Sequence, residues 1–155
     1  MKNFYKQGIT TTELLVVIAA LGIIFSIVIP QFSKSRELQV LKSGVGDILS
    51  TINKARVMTL SSLNSSSYGV HFQSDRVIIF KGTVFSVNDS NNEAISITTP
   101  ASITNVTLGG VNGDSGDVYF NRLSGSPSAT GTITISTDSY SKIITISATG
   151  VASSN

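Results

Sequence analysis

The chain has 155 residues, enough for one domain with an appended segment but not for two ordinary domains. Hydrophobic residues make up 41% of it and charged residues 13%, about half the usual globular share, which points away from an ordinary cytosolic enzyme. The lack of cysteine excludes disulfides, thiol catalysis and Cys-ligated zinc; the formal charge of +2 rests on Lys2 and Lys6, so that without residues 1–8 nine basic side chains face nine acidic ones and no electrostatic case for nucleic acid remains.

In chain order, two lysines come first and an apolar run follows. Leu14 to Ile29 reads LLVVIAALGIIFSIVI, with Ser26 the only clearly polar side chain. As a helix it spans roughly 24 Å, a little short of the ~30 Å hydrocarbon core, and Ile9 with the threonines after it can lengthen it. A secretory signal places small residues and its cut after the apolar run, whereas this run ends in Ile27-Val28-Ile29-Pro30-Gln31-Phe32 and continues directly into an amphipathic pattern. A buried globular helix does not need sixteen consecutive apolar positions on every face. The pattern predicts a membrane-held helix, with Lys2 and Lys6 keeping the amino terminus inside and the rest of the chain outside.

The segment Lys6-Gln7-Gly8-Ile9-Thr10-Thr11-Thr12-Glu13-Leu14-Leu15 resembles the type IV prepilin signal: a short basic leader ending in Gly, a hydrophobic first mature residue, and Glu at the fifth mature position. The resemblance covers the apolar helix as well, including Pro30 at the twenty-second mature position. It departs from the family in having Ile where Phe or Met is commoner, and three threonines where a more apolar stretch is usual. It implies cleavage after Gly8, a new and N-methylated terminus at Ile9, and an assembly role for Glu13. The residues themselves offer Glu13 a plainer role, because Thr10-Thr11-Thr12-Glu13 fits a capping box and places an acid at the positive end of the helix dipole. An acid leading into a membrane span also invites a cation, since a central charge costs about 2.5–3.5 kcal/mol on insertion scales. The resemblance supplies one, the amino group released at Ile9 of the same or a neighbouring subunit. Gly22 weakens a helix, and Pro30 removes the amide bond to the Ser26 carbonyl. Membrane helices tolerate both, and the resemblance implies a flexible joint at Gly22 and Pro30.

From Gln31 to about Leu60, Leu38, Leu41, Val45, Ile48, Ile52 and Ala55 recur every three or four residues and define one helical face. Gly44 and Gly46 allow a bend. Ser61–Ser67 reads as a loop. Short β runs are predicted at Tyr68–Phe72, Arg76–Lys81, Thr83–Val87, Ala94–Thr99, Ile103–Leu108, Asp117–Phe120, Gly131–Ser136 and Lys142–Ser147. Thr132 to Ile135 alternate as in a half-buried antiparallel strand, whereas Val77-Ile78-Ile79-Phe80 does not and suits a strand covered on both faces. Within the superfamily, this strand content, the segment Ile52–Arg56, and the stretches Asp117–Gly125 and Ile143–Gly150 are similar to the GspH/FimT group of minor pilins and pseudopilins.

Little in the chain carries reaction chemistry. His71, the only histidine, is expected to project opposite Val70 and Phe72 as a surface or edge-strand side chain, without the positioned partner that a general base needs. No Gly-x-Ser-x-Gly elbow is present. Asp89–Glu93 and Asn112–Asp117 are oxygen-rich, but neither matches the EF-hand register and both have ordinary turn composition. No catalytic residue, metal ligand or cofactor is expected.

The resulting expectation is an α+β protein. Residues 1–8 form a leader, 9–30 a transmembrane and filament-core helix, 31–60 its amphipathic half, and 61–155 a β-rich extracytoplasmic head, a mostly antiparallel sheet or sandwich. The resemblance implies a structural minor pilin or pseudopilin of a type IV pilus or type II secretion pseudopilus. Its expected partners are a prepilin peptidase/methyltransferase, other pilin or pseudopilin subunits, the assembly platform, and the inner membrane before assembly. A major pilin is the near alternative. A DNA-binding minor pilin of a transformation system is a further one, disfavoured by a tail, Thr149–Asn155, that carries no base.

Overall fold

The computed structural model describes residues 8–155, and the protein is α+β. One helix, α1, runs from Thr11 to Leu60. Nine strands follow: β1 (Tyr68–Phe72), β2 (Arg76–Lys81), β3 (Glu93–Ser96), β4 (Ser102–Leu108), β5 (Val111–Gly113), β6 (Gly116–Tyr119), β7 (Gly131–Ser136), β8 (Ser141–Ile146) and β9 (Ala152–Ser154). They form two antiparallel sheets, one in the order β3-β2-β1-β6 and the other in the order β5-β4-β7-β8-β9.

The chain divides into two compact units, Met1–Arg36 and Glu37–Asn155. In the first, α1 carries its apolar sequence with every described side chain exposed, from Ile9 at 76% to Phe32 at 75%. This is the helix long and apolar enough to cross a membrane.

The second unit has one hydrophobic core. Of the helical face read from the sequence, Leu41, Val45, Ile48, Ile52 and Ala55 are buried in it, whereas Leu38 is half-buried and lies outside the core cluster. They meet the inward residues of both sheets, among them Val70, Phe72, Val118, Ile133 and Ile144. Gly44 has a packing role. A Cβ there would stand 2.7 Å from the Ile135 Cδ1, so the missing side chain lets β7 approach the helix. No such neighbour exists at Gly46.

The helix stops where serines and asparagine replace helix formers. Ser62, Asn64 and Ser65 take left-handed conformations around the short 3₁₀ turn Leu63–Ser65. Thr59 fastens this end to the sheet. Its buried Oγ1 donates to the Ala55 carbonyl at 3.0 Å and accepts from the Tyr68 N–H at 2.9 Å. A buried hydroxyl is thus satisfied at the moment the chain turns from helix to β1.

Val77, Ile78, Ile79 and Phe80 in β2 are all buried, as their lack of alternation suggested. Val77 and Ile79 face the core, while Ile78 and Phe80 lie on the opposite face. Phe80 sits across from Gly69, where any Cβ would collide with its ring. The cover over this outer face is the segment expected to be the strand Thr83–Val87. It is not a strand. Gly82, at φ +104°, turns the chain away from β2, and Val84 and Val87 point into solvent with no sheet partner. Phe85 instead folds back over the sheet, its ring 5.7 Å from that of Phe80 in an edge-on arrangement.

Two strands, β5 and β9, lay outside the expected set. Leu108 pairs with Val111 across Gly109-Gly110, both at positive φ (59° and 83°), which is the two-residue hairpin geometry glycine favours.

Candidate functional site

The residues singled out at the amino terminus open α1. Gly8 and Ile9 are exposed and precede the helix; residues 1–7, the rest of the expected leader, lie outside the described part. Thr10 is the residue before α1, and its carbonyl accepts the first helical bond, from the Leu14 N–H at 3.1 Å. Its Oγ1 accepts from the Glu13 N–H at 3.2 Å, satisfying one of the amides that a helix start leaves without a partner. This is one arm of the capping box. The reciprocal arm, from the Glu13 carboxylate to the Thr10 N–H, is not formed among the described residues. The carboxylate of Glu13 is exposed in the first turn, at the positive end of the helix.

Farther along, α1 continues through Gly22 and Pro30 without interruption. At Gly22 a Cβ would meet nothing within 4 Å, so no packing contact within the chain requires glycine there.

On the outer face of the first sheet, His71 occupies a different environment from the one expected. β1 is an interior strand between β2 and β6, not an edge. His71 stands opposite Asp117 in the β1–β6 register, and its Nδ1 meets the Asp117 carboxylate. Phe85 stacks on the imidazole, centroids 3.9 Å apart and planes 7° from parallel. The sequence signal for this pair was weak because its members lie 46 residues apart and only strand pairing joins them. A His–Asp pair orients an imidazole, but among the described hydrogen bonds no hydroxyl nucleophile reaches the ring.

The oxygen-rich loops are occupied by their own bonds. Asp89 Oδ1 accepts from the Asn91 backbone N–H at 2.9 Å and its Nδ2 at 2.7 Å, an Asx turn that holds the Asp89 carboxyl below its ordinary value. Asn112 Oδ1 accepts from the Thr107 hydroxyl, and Asp117 is engaged by His71. Among the described residues no group of three His, Asp or Glu side chains converges. Near the carboxyl end, Arg122 is exposed and Lys142 donates to the Asn155 carbonyl at 3.1 Å. No protein-family model, no curated protein and no solved structure matches this chain.

Proposed function

We propose that this chain is a type IV pilin-like structural subunit, a minor pilin or pseudopilin, made with a leader that is cut after Gly8 and held in the membrane by its first helix until assembly. One observation carries the reading: the Gly8-Ile9 junction and Glu13 stand at the very start of a helix whose apolar stretch from Leu14 to Ile29 carries only exposed side chains. A helix of this composition cannot stay exposed to water, and lipid or neighbouring helices are the surroundings that suit it. Two antiparallel sheets around the last turns of α1 support the head expected of such a subunit, and their nine strands favour a minor subunit over a major pilin with a small sheet. The prepilin peptidase/methyltransferase, other pilins and the assembly platform are the partners this proposal requires.

Mass spectrometry of the protein from its native host tests the reading directly. Residues 1–8 are expected to be missing, with Ile9 as a methylated terminus. A mature chain that still begins at Met1, or one cut beyond Pro30, overturns it.

A further inference from the structure

β9 is the outer strand of the second sheet. Val151 accepts from the Ser147 N–H at 3.0 Å and Asn155 donates to the Ile143 carbonyl at 3.1 Å. Backbone groups alternate in direction along a strand, so Val151, Ser153 and Asn155 face β8, while the N–H and C=O groups of Ala152 and Ser154 face outward. Those outward groups make no hydrogen bond among the described residues.

Two hollows of about 300 Å³ flank them, one bordered by Ala152 and the other by Ser154. Each is closed on its far side by α1, and Leu49 lines both. With Leu49 between them, they lie in line along a groove bounded by a helix face and an open strand edge. Its ends are basic: Lys42 and Lys142 at one, Arg56 at the other, with no carboxylate among the lining residues. Arg56 uses its Nε on the Gly125 carbonyl at 3.2 Å, which fixes the guanidinium beside the groove. Lys54 pairs with Glu93 and Arg76 with Asp75, whereas Lys42, Lys142 and Arg56 at the groove, like Lys81 and Arg122 elsewhere, have no Asp or Glu within ion-pair distance among the described residues.

We propose that this groove takes an extended acidic segment of a partner protein, added to the sheet as a strand beside β9. The outward amides and carbonyls of Ala152 and Ser154 supply the main-chain pairing, Leu49 and Val151 an apolar floor, and the three cations the sign of the charge. Lys42 and Arg56 are fourteen residues apart on one helix, about 21 Å, which an extended chain covers in about six residues. The occupant therefore has a carboxylate near each end and apolar side chains at alternate positions between them. The inference does not depend on the pilin reading.

The test uses the full chain in detergent micelles and a fluorescein-labelled peptide, Asp-Thr-Val-Thr-Val-Thr-Asp, with a Lys-for-Asp version as control. Fluorescence anisotropy is expected to show saturable binding of the acidic peptide, with the basic version about tenfold weaker or worse. Amide exchange at Ala152 and Ser154 is expected to slow on binding. Ser154→Pro removes only an outward N–H, which an edge strand tolerates, and is expected to abolish binding with an unchanged melting temperature. Lys42→Gln, at an exposed site, is expected to weaken binding about threefold and serves if the proline variant does not fold. Equal binding of the two peptides, no binding, or binding that leaves Ala152 and Ser154 exchange unaltered overturns the proposal.

Discussion

Glu13 is the residue at which two physical roles diverge. The hydrogen bond that caps α1 runs from the Glu13 backbone N–H to the Thr10 hydroxyl, so any residue but proline at position 13 preserves it. Thr10→Ala, by contrast, is expected to cost the helix start about 1 kcal/mol. Exchanging the carboxylate for an amide in Glu13→Gln thus leaves the cap intact and removes only the negative charge. If that charge meets the amine released at Ile9 in a low-dielectric filament core, its loss removes a strong attraction. The expected outcome is a subunit that is still cleaved after Gly8 and still resident in the membrane but enters filaments poorly. Fractionating membranes from filaments for wild type and Glu13→Gln measures this, and equal incorporation leaves Glu13 with a helix-terminus role alone. His71 shows the opposite case, where a residue's neighbours rather than its own chemistry set its character. Between Asp117 and the ring of Phe85 it is part of the sheet's outer packing.

α1 meets two environments along its length, and substitutions on it should report which one they enter. Ile52 is fully buried against both sheets, so Ile52→Ala is expected to destabilise the β-rich unit by about 2–5 kcal/mol, the range for a large-to-small change in a packed core. Leu15 is 64% exposed, and Leu15→Ala is expected to leave the urea midpoint of that unit unchanged. Urea titration of both variants in micelles, followed by tyrosine fluorescence, makes the comparison, and equal shifts would remove the distinction. Among the strands, legibility followed burial. β1, β2 and β7 have the bounds expected of them, because β-branched and aromatic residues crowd their core faces. β9 is Ala-Ser-Ser, short and without an apolar alternation, and it is a strand only because β8 offers a ladder to join. β5 reads as a turn until the Gly109-Gly110 hairpin returns it to β4, although a glycine pair between Leu108 and Val111 is itself a hairpin signal. Thr83–Val87 has strand composition, but β1 and β3 already occupy both sides of β2, the strand it follows, and its aromatic residue finds the sheet's face instead.

Residues 37–155 contain a complete core and carry seven basic against eight acidic side chains. A chain beginning at Glu37 is therefore expected to fold without the apolar stretch and to be soluble and monomeric at modest concentration. Its circular dichroism is expected to be dominated by β signal, with a helical contribution from the turns that bear Leu41, Val45, Ile48 and Ile52. A spectrum typical of a helical bundle contradicts the fold. With the same near-neutral charge, this unit is expected to show only weak, salt-sensitive retention of duplex DNA. Persistent binding at physiological salt, in a filter-retention assay, favours the transformation reading over a purely structural one.

The apolar stretch from Leu14 to Ile29, the helical face from Leu41 to Ala55 and most β runs were legible in the sequence, because each depends on local periodicity and composition. The resemblance to a prepilin signal at Gly8, Ile9 and Glu13 is local as well, and it rests on the sequence alone. The pairing of His71 with Asp117, the cover that Phe85 places over β2, and the basic groove beside β9 were not. Each depends on contacts between segments far apart in the chain, and periodicity carries no information about which strand will lie next to which. Strand order sets those neighbours: it makes β1 an interior strand and β9 an edge, and it brings Lys142 to the helix face that bears Lys42.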